Sequence, residues 1–384
     1  MSFRRIAALC AVGALAVTIL SCAQLVKKEP IRIGAIFAVT GPSSFLGGPE
    51  AKTAQMLVEE INAGGGIKGR PVELLIKDSQ GDPEKAISFC KQLIEEDQVL
   101  AIIGPSTTGE TMKIKNICEE SQTLLLSCAA AEVIVNPVAK WVFKTPQKDS
   151  QAAKWIFDTM KKMKISKVGV VADNTGFGGA GKQQVESMAP AESIQIVISE
   201  VYDKAATDLT DVLTKLKAKK VQAVINWSVV PAQSLVAKNM KQIGLAVPLF
   251  QSHGFGNIKY AQLAGEAGEG IMFPCGRLLV AEALPEGHPQ KALLAKYKAE
   301  YEQKFGEDVS TFGGHAYDAI LILKKALETA PTMDKEAVRS TIENMKGLVG
   351  TAGIFNFSPE DHNGIDITGF EMLTVKGGKF ALLQ

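Results

Sequence analysis

The loop Gly104-Pro-Ser-Thr-Thr108-Gly109 has the side chains and the setting to hold a small anion. It follows an apolar run at 99–103 that reads as a buried strand, and it precedes a helix beginning near Glu110. Hydroxyls and free backbone N–H groups at a helix N-terminus form a ready carboxylate site. Thr107 or Thr108 would equally serve as an N-cap, and the two roles are compatible. A second loop, Gly176-Phe-Gly-Gly-Ala-Gly181-Lys182-Gln183, follows a strand at 168–171 and satisfies GxxxxGK. A phosphate-binding loop needs Ser or Thr after the Lys to hold magnesium, and Gln183 cannot do so. The stretch reads instead as a glycine-rich strand-to-helix turn with Phe177 able to project into a cleft.

The histidines are His253, His288, His315 and His362, and no two stand at i,i+3 or i,i+4, so local spacing gives no metal site. His362 lies in the turn Asp361-His-Asn-Gly364 and is expected to be solvated. His253, in Gln251-Ser-His-Gly254, directly follows a buried strand, where either a ligand contact or a satisfied loop histidine fits. No serine carries a GxSxG elbow, and nothing in the pattern calls for an enzyme or a cofactor.

These residues sit on a strand–helix rhythm running from Ile31 to about Cys275. Short apolar runs at 31–37, 72–76, 99–103, 123–126, 168–171, 221–225, 248–250 and 270–273 read as strands. Helical stretches separate them, among them 51–61, 149–163, 208–217 and 231–243, with Asp82-Pro83 opening another. Alternation of this kind means parallel sheets with helices on both faces. Three helical stretches follow at 290–305, 313–330 and 334–345, then a β-rich tail with a strand at 370–375. That is too much for one doubly wound domain and predicts two facing lobes. Ligands bind beyond the carboxyl ends of such strands, which puts the site in the cleft between them.

Arg4 and Arg5 lead into an apolar run over 6–20 that breaks at Ser21-Cys22. This describes a secretory signal peptide, too short for a comfortable membrane span. Ile19-Leu20-Ser21-Cys22 resembles a lipoprotein box with Cys22 as the lipid-bearing residue, an ordinary signal-peptidase site being the alternative. The chain is therefore expected outside the cytoplasm, with about 360 residues to fold. Lys+Arg 42 against Asp+Glu 41 leaves a net charge of +1, without the basic footprint of a nucleic-acid binder. Aromatic residues at 6% argue against a carbohydrate-stacking surface. Besides Cys22 the exported chain keeps Cys90, Cys118, Cys128 and Cys275, none in a CxxC pair. Cys90 and Cys118 lie on helices after successive strands, where a disulfide and buried free thiols are the two alternatives.

Several stretches recur in one order and spacing. They are Ile33-Gly-Ala-Ile36 with Thr40-Gly-Pro42, Glu60-Ile-Asn-Ala-Gly-Gly-Gly-Ile-Lys-Gly69, and Asp78 with Gly81-Asp-Pro83. Ile103-Gly-Pro105, Ala264-Gly-Glu-Ala-Gly-Glu-Gly270 and Ala316-Tyr-Asp-Ala319 complete the set. Together they resemble, over essentially the whole mature length, the extracytoplasmic solute-binding proteins of branched-chain amino acid (Leu/Ile/Val-type) ABC transporters. The resemblance implies the type I periplasmic binding protein fold, two doubly wound parallel-sheet α/β lobes joined by three crossovers and closing like a flytrap. The crossovers are expected near Lys148, Cys275 and Gly353. That makes 1–22 a signal peptide with lipobox, 23–147 with 276–352 lobe 1, and 148–275 with 353–384 lobe 2. It further implies a monomer serving permease and ATPase subunits, with a ligand sensor of the same fold as the runner-up.

In amino-acid binders of this family the hydroxyl loop after the third strand holds the α-carboxylate, and Thr108 falls there beside Thr107. The α-amine is held by a hydroxyl after the fourth strand and by an acid in the second lobe. Those positions fall on Ala131, near Ala129, and on His253, so both amine partners are missing. Leucine-type ligands are thereby put in doubt, and a small carboxylate is expected instead, with aromatic acids, short organic acids and atypical amino acids as the candidates in that order. Leu46, Phe177, Phe312 and Trp227 match or lie near apolar cleft positions.

Overall fold

A computed structural model describes residues 28–384, so the expected signal peptide and Cys22 lie outside the described residues. The first sheet is parallel throughout, in the order β2-β1-β3-β4-β5. Its strands are β1 (Ile31–Phe37), β2 (Val72–Asp78), β3 (Ala101–Ile103), β4 (Leu124–Ser127) and β5 (Val142–Lys144). Helices α1 (Ser44–Ala63), α2 (Pro83–Glu95) and α3 (Thr108–Glu120) connect the first four. The start of α2 follows from its sequence. Pro83 takes the first helical position, and Asp82 accepts from Glu84 N at 2.8 Å and Lys85 N at 3.3 Å.

The chain then enters the second sheet through α4 (Asp149–Lys162). There β6 (Lys167–Asp173), β7 (Gln195–Tyr202), β8 (Ala223–Trp227), β9 (Leu249–Gln251) and β10 (Met272–Cys275) run parallel. Between them lie α5 (Gly176–Met188), α6 (Thr210–Ala218), α7 (Gln233–Gln242) and α8 (Ile258–Ala264). Helices α9 (Lys291–Phe305), α10 (Thr311–Thr329) and α11 (Lys335–Glu343) belong with the first sheet, followed by a ribbon of β11 (Leu348–Val349) and β12 (Ile354–Phe355). Strands β13 (Glu371–Lys376) and β14 (Lys379–Leu382) return to the second sheet. Its order is β14-β13-β10-β9-β8-β6-β7, with β13 antiparallel to β10 and β14 antiparallel to β13. The second sheet is thus not wholly parallel. Gly377 and Gly378, at φ 58° and 74°, make the two-residue reversal that forces the hairpin.

Phe355, Phe357 and Ile365 pack in the first-sheet core, whereas Phe370 and Met372 pack in the second. The third passage therefore lies between Ile365 and Phe370, later than the expected position near Gly353. The reason is that the intervening chain first folds back over β5. His362 stacks on Phe143 with centroids 3.9 Å apart, and its Nδ1 lies 2.9 Å from Val142 O. His362 is buried, not solvated as its turn suggested. Gln147 ties this crossing region together, its Nε2 donating to Ala352 O at 2.8 Å and Gly369 O at 3.2 Å.

Cys90 on α2 and Cys118 on α3 are buried free thiols with sulfurs 3.7 Å apart, so the structure holds the thiol alternative and no bridge between them. Among the described residues no helix is long and apolar enough to cross a membrane.

Candidate functional site

The two sheets meet across a cleft that is drawn together in this structure. Asn257 Nδ2 donates to Phe45 O at 3.0 Å, and Thr311 N donates to Gly256 O at 3.0 Å. Leu46 at the start of α1 and Phe312 at the start of α10 are buried in the apolar cluster of the second lobe. A cavity of about 310 Å³ opens between the lobes, lined by Thr107, Thr108 and Gly109 on one side and Gly176, Phe177 and Val229 on the other.

The two threonines divide the roles that the sequence left open. Thr107 is the N-cap of α3, its hydroxyl accepting from Glu110 N at 3.3 Å and donating to Glu110 Oε2 at 2.6 Å. Thr108 occupies the first helical position, buried, and its Oγ1 has no partner among the described residues. Backbone N–H groups in that first turn also lack intrahelical acceptors. Thr108 packs close to Gly176, where an added Cβ would lie 3.6 Å from Thr108 Cγ2. The first turn of α3, with its unused hydroxyl, thus borders the cavity between the lobes.

Behind Phe177 the second lobe gathers an aromatic group. The Phe177 ring centroid lies 6.0 Å from that of Trp227 and 5.3 Å from that of His253, whose own centroid lies 5.7 Å from those of both Trp227 and Phe370. Trp227 ends β8, fully buried, and its Nε1 has no partner among the described residues. This explains Gly181 better than any phosphate would, because a Cβ there would fall 1.9 Å from Trp227 Nε1. Lys182, the would-be phosphate ligand, pairs with Glu186 at 2.7 Å. Replacing Gly181 with Ala should force the indole aside, lower stability by about 1–3 kcal/mol and shift tryptophan emission to the red. An unchanged thermal midpoint and emission spectrum would show that the indole has room.

Beneath this group lies a charged floor that the sequence did not reveal. Lys144, at the end of β5, is fully buried and donates to the carbonyls of Ala130, Pro146 and Gln147 at 2.7, 2.7 and 2.8 Å. Burial pulls its pKa down, opposed by the charge of Asp149. Asp149 opens α4, its Oδ2 accepting from Glu132 N at 3.1 Å while Oδ1 has no hydrogen-bond partner among the described residues. Burial pushes the Asp149 carboxyl up, and the Lys144 cation opposes this in turn. His253 Nε2 stands 3.7 Å from Asp149 Oδ1, too long for a hydrogen bond, and both ring nitrogens lack partners among the described residues. Burial, helped by Lys144, holds the His253 pKa well below the ordinary range, so the ring is neutral with one donor and one acceptor. Burial likewise brings His315 down to about 3, and its Nδ1 is also unpartnered.

Of the sequence candidates, Phe177, Trp227 and His253 come together, and Thr108, Leu46 and Phe312 meet the second lobe. Ala131 is fully buried and precedes Glu132, whose N–H holds Asp149. Ala129 does not join them, because it packs behind β4 in the cluster with Cys90 and Cys118. Asp149, Lys144, His315 and Phe370 were not anticipated. The only hint was a lysine ending an otherwise apolar strand, Val142-Phe-Lys144. The arrangement offers donors from Thr108, Trp227 and His253, and one carboxylate acceptor, inside a mostly apolar enclosure. It is equipped to bind a small polar-ended molecule.

A family model described as periplasmic binding protein matches residues 30–379. The chain is 26% identical over 329 residues to a leucine-, isoleucine-, valine-, threonine- and alanine-binding protein of Pseudomonas aeruginosa, covering 84% of this chain and 86% of that one. It superposes on an extracellular ligand-binding receptor from Rhodopseudomonas palustris HaA2 with a TM-score of 0.87 and 27% identity, over 92% of this chain and 99% of that one. The branched-chain amino acid transporter substrate binding protein LivJ of Streptococcus pneumoniae, solved with isoleucine, gives a TM-score of 0.79 and 25% identity, over 91% and 97%. With two α/β lobes in the type I arrangement and a match along nearly its whole described length, the chain belongs to the periplasmic binding protein family.

Proposed function

We propose that the protein is the lipid-anchored solute-binding component of an ABC importer. It captures a small carboxylate between its lobes outside the cytoplasm and delivers it, as a monomer, to permease and ATPase subunits. The observation that carries this reading is the Thr108 hydroxyl, buried and unpartnered among the described residues, on the first turn of α3 where that turn lines the cavity between the lobes. Charge of one sign is favoured at that helix end. Similarity to the Pseudomonas and Streptococcus proteins supports the import role. The apolar run ending at Ser21-Cys22 supports export and a lipid on Cys22.

Phe177 lines the cavity, and Leu46, Trp227 and Phe312 belong to the same apolar cluster, which suits an apolar body attached to the carboxylate. Mass spectrometry of the purified protein should recover such an acid unaltered, and a chemically transformed product would point to an enzyme instead. Thr108→Val keeps the side-chain volume but removes the hydroxyl. Leaving a charged ligand oxygen unpaired should cost about 1.5–3 kcal/mol, roughly tenfold or more in affinity. Calorimetry on the recovered acid tests this, and an unchanged Kd would move the carboxylate away from Thr108.

A further inference from the structure

We infer that the ligand carries, besides its carboxylate, a hydroxyl group bound between Asp149 and His253. This rests on the carboxylate reading above and adds a second polar anchor to it. Asp149 Oδ1 and both ring nitrogens of His253 are deeply buried and unpartnered among the described residues. Asp149 Oδ1 and His253 Nε2 stand 3.7 Å apart. A single oxygen placed about 2.8 Å from each would serve both, donating to the carboxylate and accepting from the imidazole N–H. A hydroxyl has one proton to give and lone pairs to receive, which matches one acceptor and one donor.

An ammonium fits this pair less well. It has three N–H groups and no lone pair, so it can use His253 Nε2 only in the tautomer that accepts there, and its third proton then finds no acceptor in this pair. Ala131, the residue before Glu132, presents a methyl that cannot accept. Asp149 stands beside it, since its Oδ2 accepts from the N–H of Glu132. Asp149 Oδ1 and His253 together therefore supply two acceptors at most, one fewer than an ammonium requires.

Matched acids test this directly. Calorimetry and thermal shift would compare 4-methylpentanoate, 2-hydroxy-4-methylpentanoate and leucine, then 3-phenylpropanoate, its 2-hydroxy and ring 4-hydroxy derivatives, and phenylalanine. At least one hydroxy acid should bind about tenfold tighter than its parent, the gain expected for a hydrogen bond to a charged group. Its identity locates the hydroxyl on the chain or on the ring. In Asp149→Asn, and independently in His253→Phe should the first fail to fold, that ratio should fall toward one. Equal binding of parent and hydroxy acids would mean that water fills the place and would overturn the inference while the carboxylate reading stands. Leucine or phenylalanine outbinding their hydroxy counterparts would overturn it in favour of an ammonium. No shift with any acid would remove the carboxylate reading and this inference together.

Discussion

Leucine, isoleucine and valine should bind this protein no better than about millimolar, near −4 kcal/mol, while acids without an ammonium bind orders of magnitude tighter. The expectation follows from counting acceptors. An ammonium taken into the cleft loses its water and needs its protons received. Ala131 presents a methyl, and His253, held neutral by burial, has a single acceptor nitrogen. Asp149 adds one carboxylate oxygen, already opposed by the Lys144 cation. A thermal-shift screen of amino and organic acids measures the difference, because a ligand stabilises by RT ln(1 + [L]/Kd). A large shift with leucine and none with amine-free acids would mean that Asp149 has replaced the missing acidic partner outright.

The second large effect is on stability. Lys144→Met should destabilise the protein by about 3–5 kcal/mol, the range seen when one member of a buried charged pair is removed. Three carbonyls, of Ala130, Pro146 and Gln147, would lose their donor at once, and Asp149 would lose its countercharge. Adding Asp149→Asn to Lys144→Met should restore part of the loss, since the stranded carboxylate is then gone. Denaturant midpoints of the two single variants and the double variant test this. An unchanged midpoint for Lys144→Met would show that solvent readily takes over the role of the ammonium.

Local patterns carried the fold a long way. The run 31–37 is a strand over those same residues, and Asp82-Pro83 opens a helix as its cap chemistry requires. The Thr108 loop was recognisable because strand, loop and helix start are contiguous. What escaped depends on contacts between distant residues. His362 reads as a turn residue, and only the return of its loop over Phe143 buries it. The late third crossover has the same origin. Asp149 looks like any acid at a helix start, where it would ordinarily face water. It becomes part of the site only because the crossover sets it beside Lys144 and His253.

Leu46 and Phe312 enter the apolar cluster of the second lobe although their helices belong to the first. Burying side chains of this kind is worth about 1.5–3 kcal/mol each, whatever occupies the cleft. The shut arrangement therefore has a standing advantage, and the apparent dissociation constant is the intrinsic one divided by the fraction of molecules already competent to bind. Affinity and release become separable properties. Side chains that bridge the lobes set how long the jaws stay shut, and with it the range of solute concentrations over which the protein fills and empties.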